Sequence, residues 1–211
     1  MKRSWVFALI WIPLAGCTQL AGTLSESAVP RSLWQERQQQ LETVSTWNLR
    51  GRLAVRVGSQ SDNFSFVWQG NSNSEELKLF GPFGGGRLHI YQDAGGIVLK
   101  DGSGQELQGK TADEVLSVVS AWPIPFMQMS YWVRGLPAPG GHDSIGFDYV
   151  GRVRSLTQNG WKIEYSEYRA FDGIDLPKRM AITTWLSDQE YGETVSVKLS
   201  IGSWVYNFKS G

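Results

Sequence analysis

Two histidines and one cysteine are the only imidazole and thiol groups in this 211-residue chain. His89 sits in the strand-like run RLHIYQ and His142 in a Gly/Pro-rich loop. A Ser-His-Asp set would need a nucleophile on a sharp strand-to-helix turn, and no G-x-S-x-G elbow occurs. Metal ligation would need clustered Cys and His, which are absent. Glu164, Glu167, Asp172 and Asp175 are close enough in sequence to suggest a glycosidase-type carboxylate pair, but the solvated face of a hairpin accounts for them more simply. The stretch GPFGGG, residues 81–86, has the glycines of a phosphate loop without the GxxxxGK[ST] pattern, and a strand follows it, not a helix. The chain therefore reads as a non-enzyme, with no metal and no non-covalent cofactor.

The remaining reactive group is Cys17, and its context is informative. MKRSWVFALIWIPLAGC places Lys2 and Arg3 before an apolar run too short to span a bilayer. LAGC looks like a lipobox, with cleavage before Cys17 and N-palmitoyl and S-diacylglycerol groups on that residue. Thr18 follows, not Asp, which by analogy with bacterial lipoprotein sorting points to the outer membrane, periplasmic face. The expected organisation is a signal peptide over 1–16, a lipidated tether over 17–30, and one domain over 31–211. With 20 basic and 20 acidic residues there is no net field to steer nucleic acid. Ten Trp, nine Phe, seven Tyr and 24 Gly describe an aromatic-rich β protein with many tight turns.

The elements that must position these residues follow from periodicity. RSLWQERQQQLETV is built of helix formers, with Leu33, Trp34, Leu41 and Val44 as its apolar side. WNLRGRLAVRVG alternates: Trp47, Leu49, Leu53, Val55 and Val57 on one face, Asn48, Arg50, Arg52 and Arg56 on the other. DNFSFVWQG, EELKLFG, RLHIYQ and GIVLKD continue the strands, at spacings that suit antiparallel neighbours. TADEVLSVVSAW opens with Thr111 and Glu114 in capping-box spacing, and PFMQMSYWVRG predicts a second short helix ending near Gly135. Asn159-Gly160 predicts a type I′ hairpin turn between GRVRSLTQ and WKIEYSEY, and LPKRMAITTW and TVSVKLSIGSWVY are the last strands. The count is about 10–11 strands and three helices. The fold class is mainly β with helices: a curved antiparallel sheet, partly or fully closed into a barrel with helices inside or at its mouth. Composition alone leaves open whether its interior is a filled core or a cavity.

One further residue resists a local explanation. LFGPFGGG has the proline and glycines of a reversal, yet it carries Phe83, a large apolar ring, at its crest.

LAGC, WNLRGRLAV, FSFVWQG, LKLFGPFGGG, IPFMQMSYWVRGLP, QNGWKIEY, LPKRM and the final strand with Trp204 occur in an order that resembles the LolB family, over about residues 34–206. These are outer-membrane lipoproteins that accept lipoproteins from the periplasmic carrier LolA. The resemblance implies an incomplete antiparallel β-barrel enclosing an apolar cavity with a helical lid. It further implies LolA, the acyl chains of cargo lipoproteins and outer-membrane phospholipid as partners, no nucleic acid, and a monomer. Cys17 resembles the lipidated anchor. Phe83 falls where the family carries an exposed apolar residue, usually Leu, on a loop used to insert cargo into the membrane. Trp68, Trp132, Trp161 and Trp204 fall at recurring tryptophan positions and are candidates to border the cavity, core packing being the other reading of each. The alternative function is a lipid-anchored envelope-assembly protein with a solid β core that binds a protein partner.

Overall fold

The computed structural model describes residues 28–82, 87–111, 114–115, 124–186 and 192–208. Cys17 and Phe83, the expected signal peptide and tether up to residue 27, and most of the TADEVLSVVSAW segment lie outside the described residues. Helix α1 (Ala28–Glu42) leads into β1 (Val44–Val57), β2 (Gln60–Asn71), β3 (Glu75–Phe80), β4 (Arg87–Asp93), β5 (Gly96–Asp101) and β6 (Glu106–Gly109). Helix α2 (Phe126–Trp132) separates these from β7 (Ser144–Phe147), β8 (Val153–Gln158), β9 (Trp161–Phe171), β10 (Ile174–Leu186) and β11 (Glu193–Phe208). The eleven strands form one sheet in the order β6-β5-β4-β3-β2-β1-β11-β10-β9-β8-β7. Every described pairing is antiparallel, and the terminal strands β6 and β7 do not pair, so the barrel is incomplete.

Alternation places the apolar residues in rows that run across the strands. One row reads Leu107, Leu99, Ile90, Leu77, Trp68, Leu49, Trp204, each paired with the next. A second reads Val55, Val197, Ile182, Ile163, Leu156, Ile145. All but the two edge residues, Leu107 and Ile145, are buried, because a period of two sends the whole row to one side. The opposite face of β1 carries Arg50, Arg52 and Arg56, all exposed.

The longest pair, β1 with β11, bends at one place. Arg50 pairs with Ser203 and Gly51 with Ile201, leaving Gly202 as an extra residue. A Cβ on Gly51 would lie 2.2 Å from the Ser200 carbonyl oxygen, so only glycine allows this close approach. Asn159 and Gly160 have φ of 52° and 76°, the left-handed pair that a type I′ turn requires, with Gln158 paired to Trp161.

Both edge strands escape the sequence pattern. ELQG and SIGF have four residues each, too few to establish an alternation. Helix α1 starts at Ala28, ahead of the expected domain boundary, and Val44 belongs to β1. At the start of TADEVLSVVSAW the Glu114 N–H donates to Thr111 Oγ1 at 3.3 Å and the Glu114 carboxylate accepts from the Lys110 N–H at 2.9 Å. Thr111 thus caps the Glu114 N–H as a helix start requires, while the return bond of the Glu114 carboxylate goes to Lys110, one residue earlier than a capping box places it.

Candidate functional site

Among the described residues, those singled out for catalytic chemistry have other engagements. His89 Nε2 lies 2.6 Å from Glu76 Oε1, an acid that also holds Lys78. Glu164 pairs with Lys162 at 2.9 Å, Glu167 with Lys178 at 2.6 Å, and Asp175 with Arg152 at 3.0 Å. Asp172 occupies a left-handed turn position, and no group of three potential metal ligands exists among the described residues. The four carboxylates that suggested a glycosidase pair are therefore ordinary ion-pair and turn residues.

The larger construction is the concave face and what covers it. Helix α2 lies across this face, and its two ends are held by different forces. At its start, Phe126 stacks on Trp68, with ring centroids 5.2 Å apart and planes inclined by 19°. At its end, Trp132 is fully buried and its Nε1 donates to Gln158 Oε1 at 2.9 Å. The Trp132 carbonyl accepts from the Tyr165 hydroxyl at 2.8 Å. Burial pushes the Tyr165 phenol well up, so it stays a neutral donor. Gln158, itself fully buried, also accepts from the Ala138 N–H at 2.9 Å and donates to the carbonyls of Ala138 (2.9 Å) and Gly141 (3.0 Å). All four hydrogen-bonding positions of the amide are filled. The C-terminal end of α2 and the loop after it are fastened to β8. The N-terminal end rests on an aromatic contact.

Trp68 and Trp204 flank Trp47: the Trp47 ring is 5.7 Å from Trp68 and 6.4 Å from Trp204. Trp204 Nε1 donates to the Pro177 carbonyl at 3.2 Å, whereas the buried Trp68 Nε1 is directed at the Glu75 carboxyl. Trp161 is buried at the start of β9, beside the Gln158 turn. The structure thus brings Trp68 and Trp204 together around Trp47, places Trp132 on the cover, and sets Trp161 at the hairpin.

A pocket of about 890 Å³ opens where α1, α2 and the β2–β3 and β4–β5 turns meet, with Trp34, Trp47, Met127, Tyr131 and Leu136 among its lining. Arg134 reaches into this wall. Its guanidinium lies 4.9 Å from the Tyr131 ring and 5.7 Å from Trp47, and its Nε donates to the Ser130 carbonyl at 2.9 Å. Burial lowers its pKa, with the Glu75 charge opposing this. Burial raises Glu75, while a hydrogen bond from Ser130, the Arg134 charge and the Trp68 indole N–H pull it back. Gly70 makes room here, since a Cβ would come 2.6 Å from the Trp47 ring.

Helix α1 closes the other side. Trp34 stacks on Phe147 of β7 at 5.5 Å. Arg37 donates to the Asp175 carbonyl, and Arg37 and Arg152 lie over the Tyr168 ring at 5.6 and 5.1 Å. Arg152 also binds Asp148 at 2.7 Å. Sequence reasoning did not find Gln158, Arg37, Arg152 or Arg134. A polar side chain at the inward register immediately before Asn159-Gly160 is the one signal that could have revealed Gln158.

Comparison with known proteins gives this arrangement a family. A family model described as outer membrane lipoprotein LolB matches residues 45–204. The outer-membrane lipoprotein LolB of Chromohalobacter salexigens is 31% identical, covering 86% of this chain and 84% of that one. The LolB of Nitrosococcus oceani is 32% identical over 84% and 89% of the two chains. That of Pseudomonas savastanoi pv. phaseolicola is 30% identical over 97% and 96%. A solved LolA-superfamily protein from Nitrosomonas europaea shares 11% identity with a TM-score of 0.49, over 87% of this chain and 96% of that one, a distant likeness of fold. The matched segment contains ten of the eleven strands in full or nearly so, together with α2, and the chain belongs to the LolB family.

Proposed function

We propose that this protein, a lipid-anchored lipoprotein of the outer membrane, accepts lipoproteins from the periplasmic carrier LolA. It shelters their acyl chains against its concave face and releases them into the membrane. Family membership supports the place and the pathway. The observation that carries the sheltering step is the unequal fastening of α2.

An acyl chain cannot wait in water: burial is worth about 0.8 kcal/mol per methylene, so a long chain represents on the order of 10 kcal/mol. A receptor therefore needs apolar surface that is hidden when empty and can be uncovered. The Phe126–Trp68 stack meets that need, because an entering chain replaces one apolar contact with another and strands no polar group. Opening the far end of α2 would break the Gln158 and Tyr165 hydrogen bonds, each costly to leave unmade when buried. The helix thus opens at Phe126 and hinges near Trp132. Trp68 and Trp204 then line the path of the chain, with Trp132 and Trp161 as its fixed end.

Delivery is assigned to the crest of the β3–β4 connection. Burying Phe83 in a bilayer interface gains roughly 2 kcal/mol, too little to anchor a domain and enough to bring a loaded face to the lipid. Cys17 with its acyl groups provides the permanent attachment. The test mixes LolA-bound lipoprotein with this chain carrying Cys17→Ala. Cargo should move to the chain without any membrane present; cargo that stays on the carrier would refute the acceptor role.

A further inference from the structure

The outward face of the central strands carries a feature that lipid sheltering leaves unexplained. One row of outward residues runs Phe80, Ser65, Arg52, Ser200, Arg179 across five adjacent strands. The next runs Asn63, Ala54, Lys198, Ala181, Glu164. Small residues at Ser65, Ser200, Ala54 and Ala181 leave a trough between the long ones, and a pocket of about 1080 Å³ lies along these rows. Arg52, Arg154 and Lys198 border it, all exposed, and none has an ion-pair partner among the described residues. Its two near carboxylates are already engaged: Glu164 by Lys162 at 2.9 Å, and Glu167 by Lys178 at 2.6 Å and Arg179 at 3.2 Å.

The pocket also includes Phe80, Gly81 and Pro82, the stem of the connection that leads to Phe83. Trp185 stands on the same outward alternation of β10 as Arg179 and Ala181, toward the end of the sheet where Phe80 lies, and is 62% exposed. Three unpaired cations, an exposed indole and an apolar loop stem on one side of a membrane-anchored domain match the layers of a bilayer surface. Cations meet phosphate, and aromatic rings sit at the headgroup level.

We propose that this outward basic trough docks on the anionic phosphates of membrane phospholipid, setting the orientation in which the Phe83 loop enters the bilayer. The inference rests on the delivery role given to that loop, but not on the acceptor step. An acidic protein surface is the competing occupant. It is less favoured because it accounts for neither the exposed Trp185 nor the shared stem.

The test uses the chain with Cys17→Ala, so that no acyl anchor masks surface binding. Its partition onto vesicles of phosphatidylethanolamine with phosphatidylglycerol is compared with partition onto phosphatidylcholine vesicles. Each cation near an anionic surface contributes about a fivefold factor. The triple variant Arg52→Gln, Arg154→Gln, Lys198→Gln should therefore lose about a hundredfold on the anionic vesicles. Its partition onto phosphatidylcholine and its uptake of cargo from the carrier should be unchanged. Added salt should reduce the wild-type preference in the same direction. Unchanged binding of the triple variant to anionic vesicles would overturn the proposal. So would loss of cargo uptake with vesicle binding intact, which would make the trough a protein dock. Failure of cargo uptake by the wild-type chain would instead overturn the acceptor role, leaving the vesicle result to be read by itself.

Discussion

Replacing Gln158 with alanine tests the reasoning about α2 most severely. The amide makes four hydrogen bonds, to Trp132 Nε1, the Ala138 N–H, and the carbonyls of Ala138 and Gly141, at 2.9 to 3.0 Å, the first three buried. Gln158→Ala removes all four at once and leaves two donors and the Ala138 carbonyl facing a void, while the exposed Gly141 carbonyl can turn to water. At about 1 kcal/mol net for each bond, the loss is about 4 kcal/mol, more where a stranded group finds no water. Urea unfolding followed by far-UV circular dichroism reads this as a fall in midpoint at constant slope. Near-UV dichroism should change too, because Trp132 loses its fixed environment. A loss below about 1 kcal/mol would refute the assignment of Gln158 as the fastening of α2, since a surface substitution costs no more. Cargo uptake gives a second reading: a loosened hinge end should slow retention of cargo more than its entry.

Three further outcomes follow from the same structure. Gly51→Ala places a Cβ 2.2 Å from the Ser200 carbonyl and should cost about 3 kcal/mol in urea unfolding, at the upper end of overpacking. Asp148 is partly buried, which raises its pKa, but bonds from the Arg152 backbone and guanidinium outweigh this and hold it below the ordinary carboxylate range. A depressed acid stabilises the fold above its unfolded pKa of about 3.9 and loses that contribution as pH falls through the lower folded value. Asp148→Asn should accordingly flatten the acid limb of a stability–pH curve. Phe83→Glu should leave uptake from the carrier intact and abolish delivery into vesicles, while Phe83→Leu should deliver normally; equal loss of both steps in the Glu variant would place the loop at the acyl site.

The sheet was legible because its evidence is local. Trp47, Leu49, Leu53 and Val55 alternate within one strand, and the turn at Asn159-Gly160 needs two positive φ values that its residues favour. The edge strands were not legible, since ELQG and SIGF take their strand character from a neighbour. The cover was legible as a helix, but its unequal fastening was not. Its fastening joins Trp132 to Gln158, 26 residues away, and α1 is fastened by Arg37 to Asp175, 138 residues away. No pattern within a window reveals such pairs. The arginines of β1 were visible as a polar face, yet only the register with Lys198 and Arg179 makes them part of one surface. Phe83 stood out for the opposite reason: an aromatic residue conflicts with a Pro/Gly-rich turn sequence, and that conflict motivates the delivery role proposed for it.

The central claim is that acyl chains rest on the concave face beneath α2. A lipopeptide with brominated acyl chains tests it directly, because bromine quenches indole fluorescence on contact. Added to the chain carrying Cys17→Ala, it should quench strongly, and Trp68→Phe with Trp204→Phe should remove much of that quenching while the lipopeptide still binds. Bound lipopeptide that leaves the fluorescence of these two tryptophans unchanged would place the acyl chains elsewhere and contradict the account.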